Sequence, residues 1–412
     1  MQPADPLALA ERVVRRCRRL GEVSEESGRL TRPYATPAMA RANALVGGWM
    51  EDAGLEVHVD AAANLVGRWA GTRPGAGTLL LGSHLDTVRD AGAFDGPLGV
   101  AVALAAVEHL HASGRQLTFD VEILGFCDEE GLRFGTAYLG SLAVAGNVDD
   151  ALLELADDDG VRMGDALRAF GGDPAGLATV ARKPGDVLGY CEVHIEQGTV
   201  LEDRDVPVGV VTAIAGATRA EARFTGRSGH AGTVPMNARR DALCAAAEWA
   251  LDVERRGRAT PGLLATVGRL AVHPGATNVV PGAAVASLDV RHAEDALRVA
   301  AVEDLRALAE RRARDRELEL TWRTRLDNAA VAMDARLTAL LAGAVAAQGS
   351  AVVRLPSGAG HDAVALAGLT GVAMLFVRCT DGVSHHPDER VESSDVAVAI
   401  ATLASLLEAL AG

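Results

Sequence analysis

The sequence predicts an α/β protein whose main domain is built from both ends of the chain, with a smaller ferredoxin-like α+β domain inserted between them. Three observations carry this. Short apolar runs alternate with helical periodicity up to Phe126. From about Val210 the order becomes β-α-β-β-α-β. After Asp327 the first texture returns. A chain of 412 residues has room for two or three domains, and the boundaries read as 1–210 and 326–412 for the main domain and 211–325 for the insert.

In order along the chain, Leu7 to Leu20 carries apolar residues at helical spacing. Thr36 before Pro37 reads as an N-cap and first helical residue, and a third helix is expected to end near Gly54. Leu55 to Val59, Leu65 to Trp69 and Thr78 to Gly82 read as strands, Gly99 to Ser113 as an apolar helix and Leu117 to Phe126 as a further strand. In the insert the expectation is strand Thr218 to Thr225, helix Arg239 to Arg255, strands Leu263 to Val272 and Ala284 to Val290, helix Asp295 to Arg314 and strand Leu318 to Arg323. Helix Met333 to Ala347, strand Gly371 to Phe376 and a last helix from Ser394 complete the main domain.

Composition narrows the function classes. Hydrophobic residues at 49% and charged residues at 23% are those of a folded globular protein. The net charge, 40 − 55 = −15, opposes a phosphate-backbone footprint, so nucleic acid is not an expected partner. Five cysteines, an odd number without a C-x-x-C pair, describe neither a disulfide framework nor a thiolate zinc site and fit a reducing cytoplasm. Asp5 and Glu11 interrupt what an export signal would need. The longest apolar stretches, Gly99 to Val107 and Val396 to Leu407, are shorter than the ~18–20 residues that span a bilayer, so no membrane partner is expected. The acids Asp157 to Asp159 read as a solvated loop.

The chemistry concentrates in clusters at strand ends. In LLLGSHLDTV, His84 and Asp86 are two apart, so on a strand they share a face and Asp86 can orient the imidazole. Asp95 follows in a glycine-rich turn, where a carboxylate could bridge two cations. LGFCDEEG runs a strand into Asp128, Glu129 and Glu130, three adjacent acids that repel one another unless a cation compensates. Glu130 could bind that cation while Glu129 stays free as a general base beside the water it activates. GYCEVHIEQG places His194, Glu196 and Gln197 at another strand end, and GVSHHPDE adds His385 and His386. Nitrogen and oxygen donors without thiolates favour Zn or Mn, with Co and Ni served by the same set. Cys127 and Cys191 read as small core residues.

These motifs, with GHAGTVPMNARRDA and TNVVPG between them, resemble the metal-dependent amidohydrolases of the M20 peptidase superfamily, in the branch of allantoate amidohydrolase and N-carbamoyl-L-amino acid hydrolase. The resemblance covers nearly the whole chain. It implies two divalent metal ions per subunit, one held by His84, Asp95 and His194 and the other by Asp95, Glu130 and His385, with Asp86 orienting His84 and Glu129 as general base. It further implies substrate contacts from Gln197, His230, Asn278, Arg291, Gly360 and His361, with His230 stabilising the oxyanion. Arg291 has the bidentate donors that suit a substrate carboxylate. The inserted domain is the dimerisation and lid domain of this family, which implies a homodimer. Related sequences often carry Gln where this chain has Ala217, and Arg219 stands two residues on.

Within that branch, allantoate is the first reading of the substrate, from EEGLRFGTAYLGS and FVRCTDGVSHHPDE, and N-carbamoyl-L-amino acids or another ureido acid such as β-ureidopropionate are the alternative. Outside it stands an inactive dimeric binding protein for a small carboxylate, against which the complete donor set argues. LPSGAGHDA is glycine-rich but lacks the G-x-G-x-x-G or Walker spacing of a nucleotide loop.

Overall fold

The structure, a computed structural model, describes residues 6–411, which leaves Asp5 outside the described residues. Its strands in chain order are β1 (Glu56–Val59), β2 (Leu65–Trp69), β3 (Thr78–His84), β4 (Asp120–Phe126), β5 (Val187–Ile195), β6 (Val208–Ile214), β7 (Gly216–Thr225), β8 (Gly229–His230), β9 (Leu264–Thr266), β10 (Leu270–His273), β11 (Val279–Val280), β12 (Ala283–His292), β13 (Glu319–Asn328), β14 (Val331–Ala332), β15 (Val353–Ser357) and β16 (Val372–Val377). The chain divides into two compact units. The main unit runs to Thr212 and resumes over Met333–Leu355 and from Ala359 onward, and the second comprises Ala213–Ala332 with Pro356–Gly358.

The main unit is a mixed α/β sheet in the order β1-β2-β4-β3-β5-β16-β6. Its centre, β4-β3-β5-β16, is parallel, and antiparallel β2 and β6 border it on either side. Strands buried on both faces read as unbroken apolar runs rather than as alternation, as in Leu79–Leu81 of β3 and all six residues of β16. The helix Pro97–Ala112 packs on β3 and β5 and against the helices Pro6–Gly21 and Ser393–Ala411. The helix Pro37–Asp52 packs on β1 and β2. The four central strands end on the same edge, so the loops that follow them gather outside their carboxyl ends, where open α/β sheets place their ligands.

Several expectations need correction. The first fifty residues form two helices rather than three: Thr36 does cap, its Oγ1 accepting the Met39 N–H at 3.3 Å, but the helix it starts is the one that ends before Gly54. The apolar stretch Val396 to Leu407 belongs to the 19-residue helix Ser393–Ala411, which by length and composition alone could cross a bilayer. Half of it is buried, with Val396, Ile400, Leu403 and Leu407 turned into the core. Among Asp157 to Asp159, Asp157 is an ion-pair partner of Arg133 at 2.9 Å and accepts the Asp159 and Val161 N–H groups, so only its two followers are freely solvated.

The second unit is a ferredoxin-like antiparallel sheet ordered β10-β12-β7-β13, with β9 also pairing with β12. The expected strand Leu263 to Val272 is thus two short strands, and the last strand runs on to Asn328. Strict alternation of buried and half-exposed residues along β12 gives the sheet one wet face. The other face meets the helices Ala242–Ala259 and Asp295–Asp315 around Trp249, which is fully buried among Phe224, Leu305 and Ala286. Its indole N–H donates to the Leu305 carbonyl at 2.8 Å. Trp249→Ala is expected to cost about 3–5 kcal/mol, measurable as a lower urea midpoint by circular dichroism, and an unchanged midpoint would show that this core does not hold the unit together.

Candidate metal centre

The main unit brings the motif residues of four strand ends together. His84 is the last residue of β3, His194 lies one residue before the end of β5, Glu129 and Glu130 follow β4, and His385 follows β16. Asp95 lies in the turn before the helix Pro97–Ala112. One ligand atom each from His84, Asp95 and His194 falls within a 4.8 Å cluster, and so does one each from Asp95, Glu130 and His385. Asp95 is common to both. Its Oδ1 lies 3.1 Å from His194 Nε2 and 3.5 Å from His84 Nε2, and its Oδ2 lies 3.4 Å from His385 Nε2, which is 3.5 Å from Glu130 Oε1. Exposed His386, by contrast, turns to Asp388.

Backbone carbonyls set the tautomers. The Nδ1–H of His84 donates to the Asp86 carbonyl at 3.0 Å and that of His194 to the Ile195 carbonyl at 3.0 Å, so each ring is fixed with its Nε2 toward Asp95. The His84 ring lies flat against the backbone beside Asp95, where a Cβ on Gly96 would come within 2.5 Å of it, and Gly96 has φ 78°.

The Asp86 carboxylate lies at ion-pair distance from His84, its nearer oxygen 3.6 Å from Nδ1, but takes no hydrogen bond from it, since the Nδ1–H goes to the Asp86 carbonyl. It accepts instead the N–H groups of Glu129 at 3.0 Å and Glu130 at 3.1 Å, fixing the turn that presents those two acids. Behind it the guanidinium of Arg32, wholly buried, donates to the carbonyls of Leu85, Leu20 and Val23 and supplies an opposite charge. Glu129 and Glu130 diverge less than their neighbouring positions suggest, since both fall in one cluster with His84.

The electrostatics fit divalent cations. Burial alone would raise Asp95, but His194 and His84 hold its carboxyl well below the ordinary range. Glu130 goes the other way: burial pushes it up to about 8, with Asp95 and Asp86 adding to the rise against the pull of His84. Burial likewise pushes Glu129 well up. Buried carboxylates in excess over cationic groups call for a positive charge between them, and a donor set of imidazole and carboxylate suits Zn or Mn.

Other expected residues stand as follows. Gln197, in a left-handed conformation at φ 59°, donates from Nε2 to Asp95 Oδ2 at 2.8 Å and to Ser384 Oγ at 3.0 Å, so its amide braces the Asp95 carboxylate. His361 is buried with its ring edge-on to His194 at 4.6 Å, and burial and His194 push its pKa well below the usual value, which makes it a neutral imidazole. The second unit holds His230, Asn278 and Arg291. His230 on β8 sits beside Asn278, whose carbonyl accepts the Ala231 N–H at 2.9 Å. The Nε and Nη2 edge of Arg291, expected to be open to a substrate carboxylate, is engaged by Asp289 at 2.8 and 3.1 Å, and Nη1 donates to the Gly358 carbonyl at 2.7 Å. Arg219 reaches the same Asp289 at 3.0 Å, and Ala217 is paired with Arg291 across β7 and β12.

Four residues were not singled out from sequence. Ser384 donates to Asp95 Oδ2 at 2.6 Å. Glu389 accepts backbone N–H groups from the loops that carry Asp95 and His385. Glu192 accepts from Ser83 Oγ at 2.9 Å and from the Ala363 N–H at 3.2 Å under His194 and His361. Tyr138, at φ 68°, lays its hydroxyl against Gly360, 1.9 Å from where a Cβ would stand. Ser384 and Glu389 lie in GVSHHPDE itself, so the signal for them was their place in that motif.

Comparison with known proteins gives similarities over most of the chain. Peptidase family M20/M25/M40 matches residues 80–409. The N-carbamoyl-L-amino acid amidohydrolase of Geobacillus stearothermophilus is 41% identical over 94% of this chain and 95% of its own length. Allantoate deiminase 1 of Glycine max is 40% identical over 97% of this chain and 90% of its own. A crystal structure of an amidase of the hydantoinase/carbamoylase family from Burkholderia multivorans superposes with a TM-score of 0.91 at 31% identity, covering 98% of each chain.

Proposed function

Because the chain belongs to peptidase family M20/M25/M40, we propose that it is a metal-dependent amidohydrolase acting on the ureido C–N bond of a small carboxylate, with allantoate as substrate. The observation that carries this reading is the pair of donor triads sharing Asp95, with the Glu129 carboxylate beside them. Relatives at about 40% identity are named for allantoate and for N-carbamoyl-L-amino acids, and both are ureido acids.

When bound, two divalent cations, Zn or Mn with Co and Ni as substitutes, lower the pKa of a water and polarise the carbonyl oxygen. The remaining work falls to this chain. His84, Asp95 and His194 form one ligand set and Asp95, Glu130 and His385 the other. Glu129 takes the proton of the attacking water and passes it to the departing nitrogen, so that allantoate and water give ureidoglycine and carbamate, which decays to ammonia and CO2. Asp86 keeps Glu129 in place through its backbone N–H. Gly360 and His361 line the substrate side. For His230 as oxyanion donor and for Asn278 and Arg291 as substrate contacts, the support is the motif resemblance, and Arg291 must share its donors with Asp289. Exposed Leu251, Leu264 and Leu270 of the second unit support a homodimer formed through it. The five cysteines form no disulfide among the described residues, which supports a cytoplasmic setting.

The 41% identical carbamoylase supports a second reading, N-carbamoyl-L-amino acids as substrates by the same mechanism. Metal-stripped protein reloaded with Mn, Zn or Co and assayed for ammonia on allantoate and on N-carbamoyl-L-amino acids decides between them. Turnover of allantoate is the expected result. Preference for the carbamoyl amino acids would transfer the assignment, and silence on both with metals bound would overturn it.

A further inference from the structure

We propose that Glu389 is a positioning residue that locks the two ligand loops of the metal centre together, an inference that rests on the ligand assignments above. Glu389 is 4% exposed, and both oxygens of its carboxylate accept backbone N–H groups. Oε2 accepts the N–H of Phe94 at 3.0 Å and that of Asp95 at 3.2 Å, and Oε1 accepts the N–H of His385 at 3.1 Å. One side chain thereby fastens the residue common to both triads to a ligand of only one of them, across 290 positions of sequence from Asp95 to His385.

Two features show that this is a built contact. His385 holds φ 55°, a left-handed conformation that costs a β-carbon-bearing residue about 1–3 kcal/mol and persists only where surroundings impose it. The bond from its own N–H to Glu389, with the Glu389 N–H returning to the His386 carbonyl at 3.1 Å, closes the loop into that shape. On the opposite side Gly92 makes room: a Cβ there would stand 2.3 Å from the carboxylate. An amide in place of the carboxylate would turn an NH2 group toward a backbone N–H on one of the two edges, so Glu389→Gln keeps the shape and breaks one side of the lock. Gly92→Ala attacks the same carboxylate from outside, at a glycine without a left-handed φ.

The test is titration of metal-stripped wild type, Glu389→Gln and Gly92→Ala with Co(II), followed by visible absorption and calorimetry, with circular dichroism as control. Wild type should take up two equivalents. Both variants should keep near-native circular dichroism, bind the first equivalent close to wild-type affinity and bind the second about 10–100-fold more weakly, with turnover recovering at high Co(II). If Glu389→Gln does not fold, Gly92→Ala carries the same comparison. Two equivalents at wild-type affinity in both variants, or equal loss of both equivalents, would overturn the lock. Wild type that takes up no Co(II), or His385→Ala that still takes up two equivalents, would instead remove the ligand assignments on which it rests.

Discussion

Glu129→Gln is expected to keep both metals and to lose about 10²–10⁴-fold in turnover, the range that a positioned general base contributes. Gln matches Glu in shape, and the backbone N–H that Asp86 holds is untouched, so the turn should survive. What disappears is the basic carboxylate that takes a proton from water and returns it to the leaving nitrogen, since an amide is too weak a base to do so. Metal content by emission spectroscopy and turnover at saturating substrate check both halves. The first half is the stricter test, because Glu129 also clusters with His84 and Glu130. A variant that lost one metal would exchange the roles of Glu129 and Glu130.

Asp95→Ala should have a still larger effect, with metal content falling and turnover dropping to background. Each triad loses its common member. The imidazoles of His84 and His194 lose the carboxylate they face, and Ser384 and Gln197 lose the acceptor they share. Retention of two metals per chain by this variant would show that Asp95 does not bridge.

The clustering of His84, Asp95, Glu130, His194 and His385 was legible because their motifs continue from apolar runs that read as buried strands, which places polar side chains beyond the strand ends. Lengths were less legible where they decide direction. Whether the Asp86 carboxylate bonds His84 or the Glu129 amide is decided beyond the end of β3 at His84, where strand alternation no longer applies. The second unit was read from its β-α-β-β-α-β order, and that order did not reveal the break between β9 and β10, since both lie on the same partner strand. Arg291 looked available because a guanidinium fork suits a carboxylate; it suits Asp289, two residues away, equally well. Glu389 and Ser384 gain their partners only when the chain folds back across some 290 residues, and no local pattern encodes that.

The strand order of the main sheet sets a schedule for the growing protein. β16 is the last strand made, yet it inserts between β5 and β6, which were made long before. Until it arrives, β5 lacks a neighbour along one edge, and the loop bearing His385 and Glu389 does not exist. A nascent chain can therefore present His84, Asp95 and His194 but not the second set, whereas the strands and helices of the second unit are contiguous in sequence and can pair as soon as they emerge. Completion of the triad that includes His385 accordingly waits on β16 entering the sheet, whereas the triad of His84, Asp95 and His194 does not.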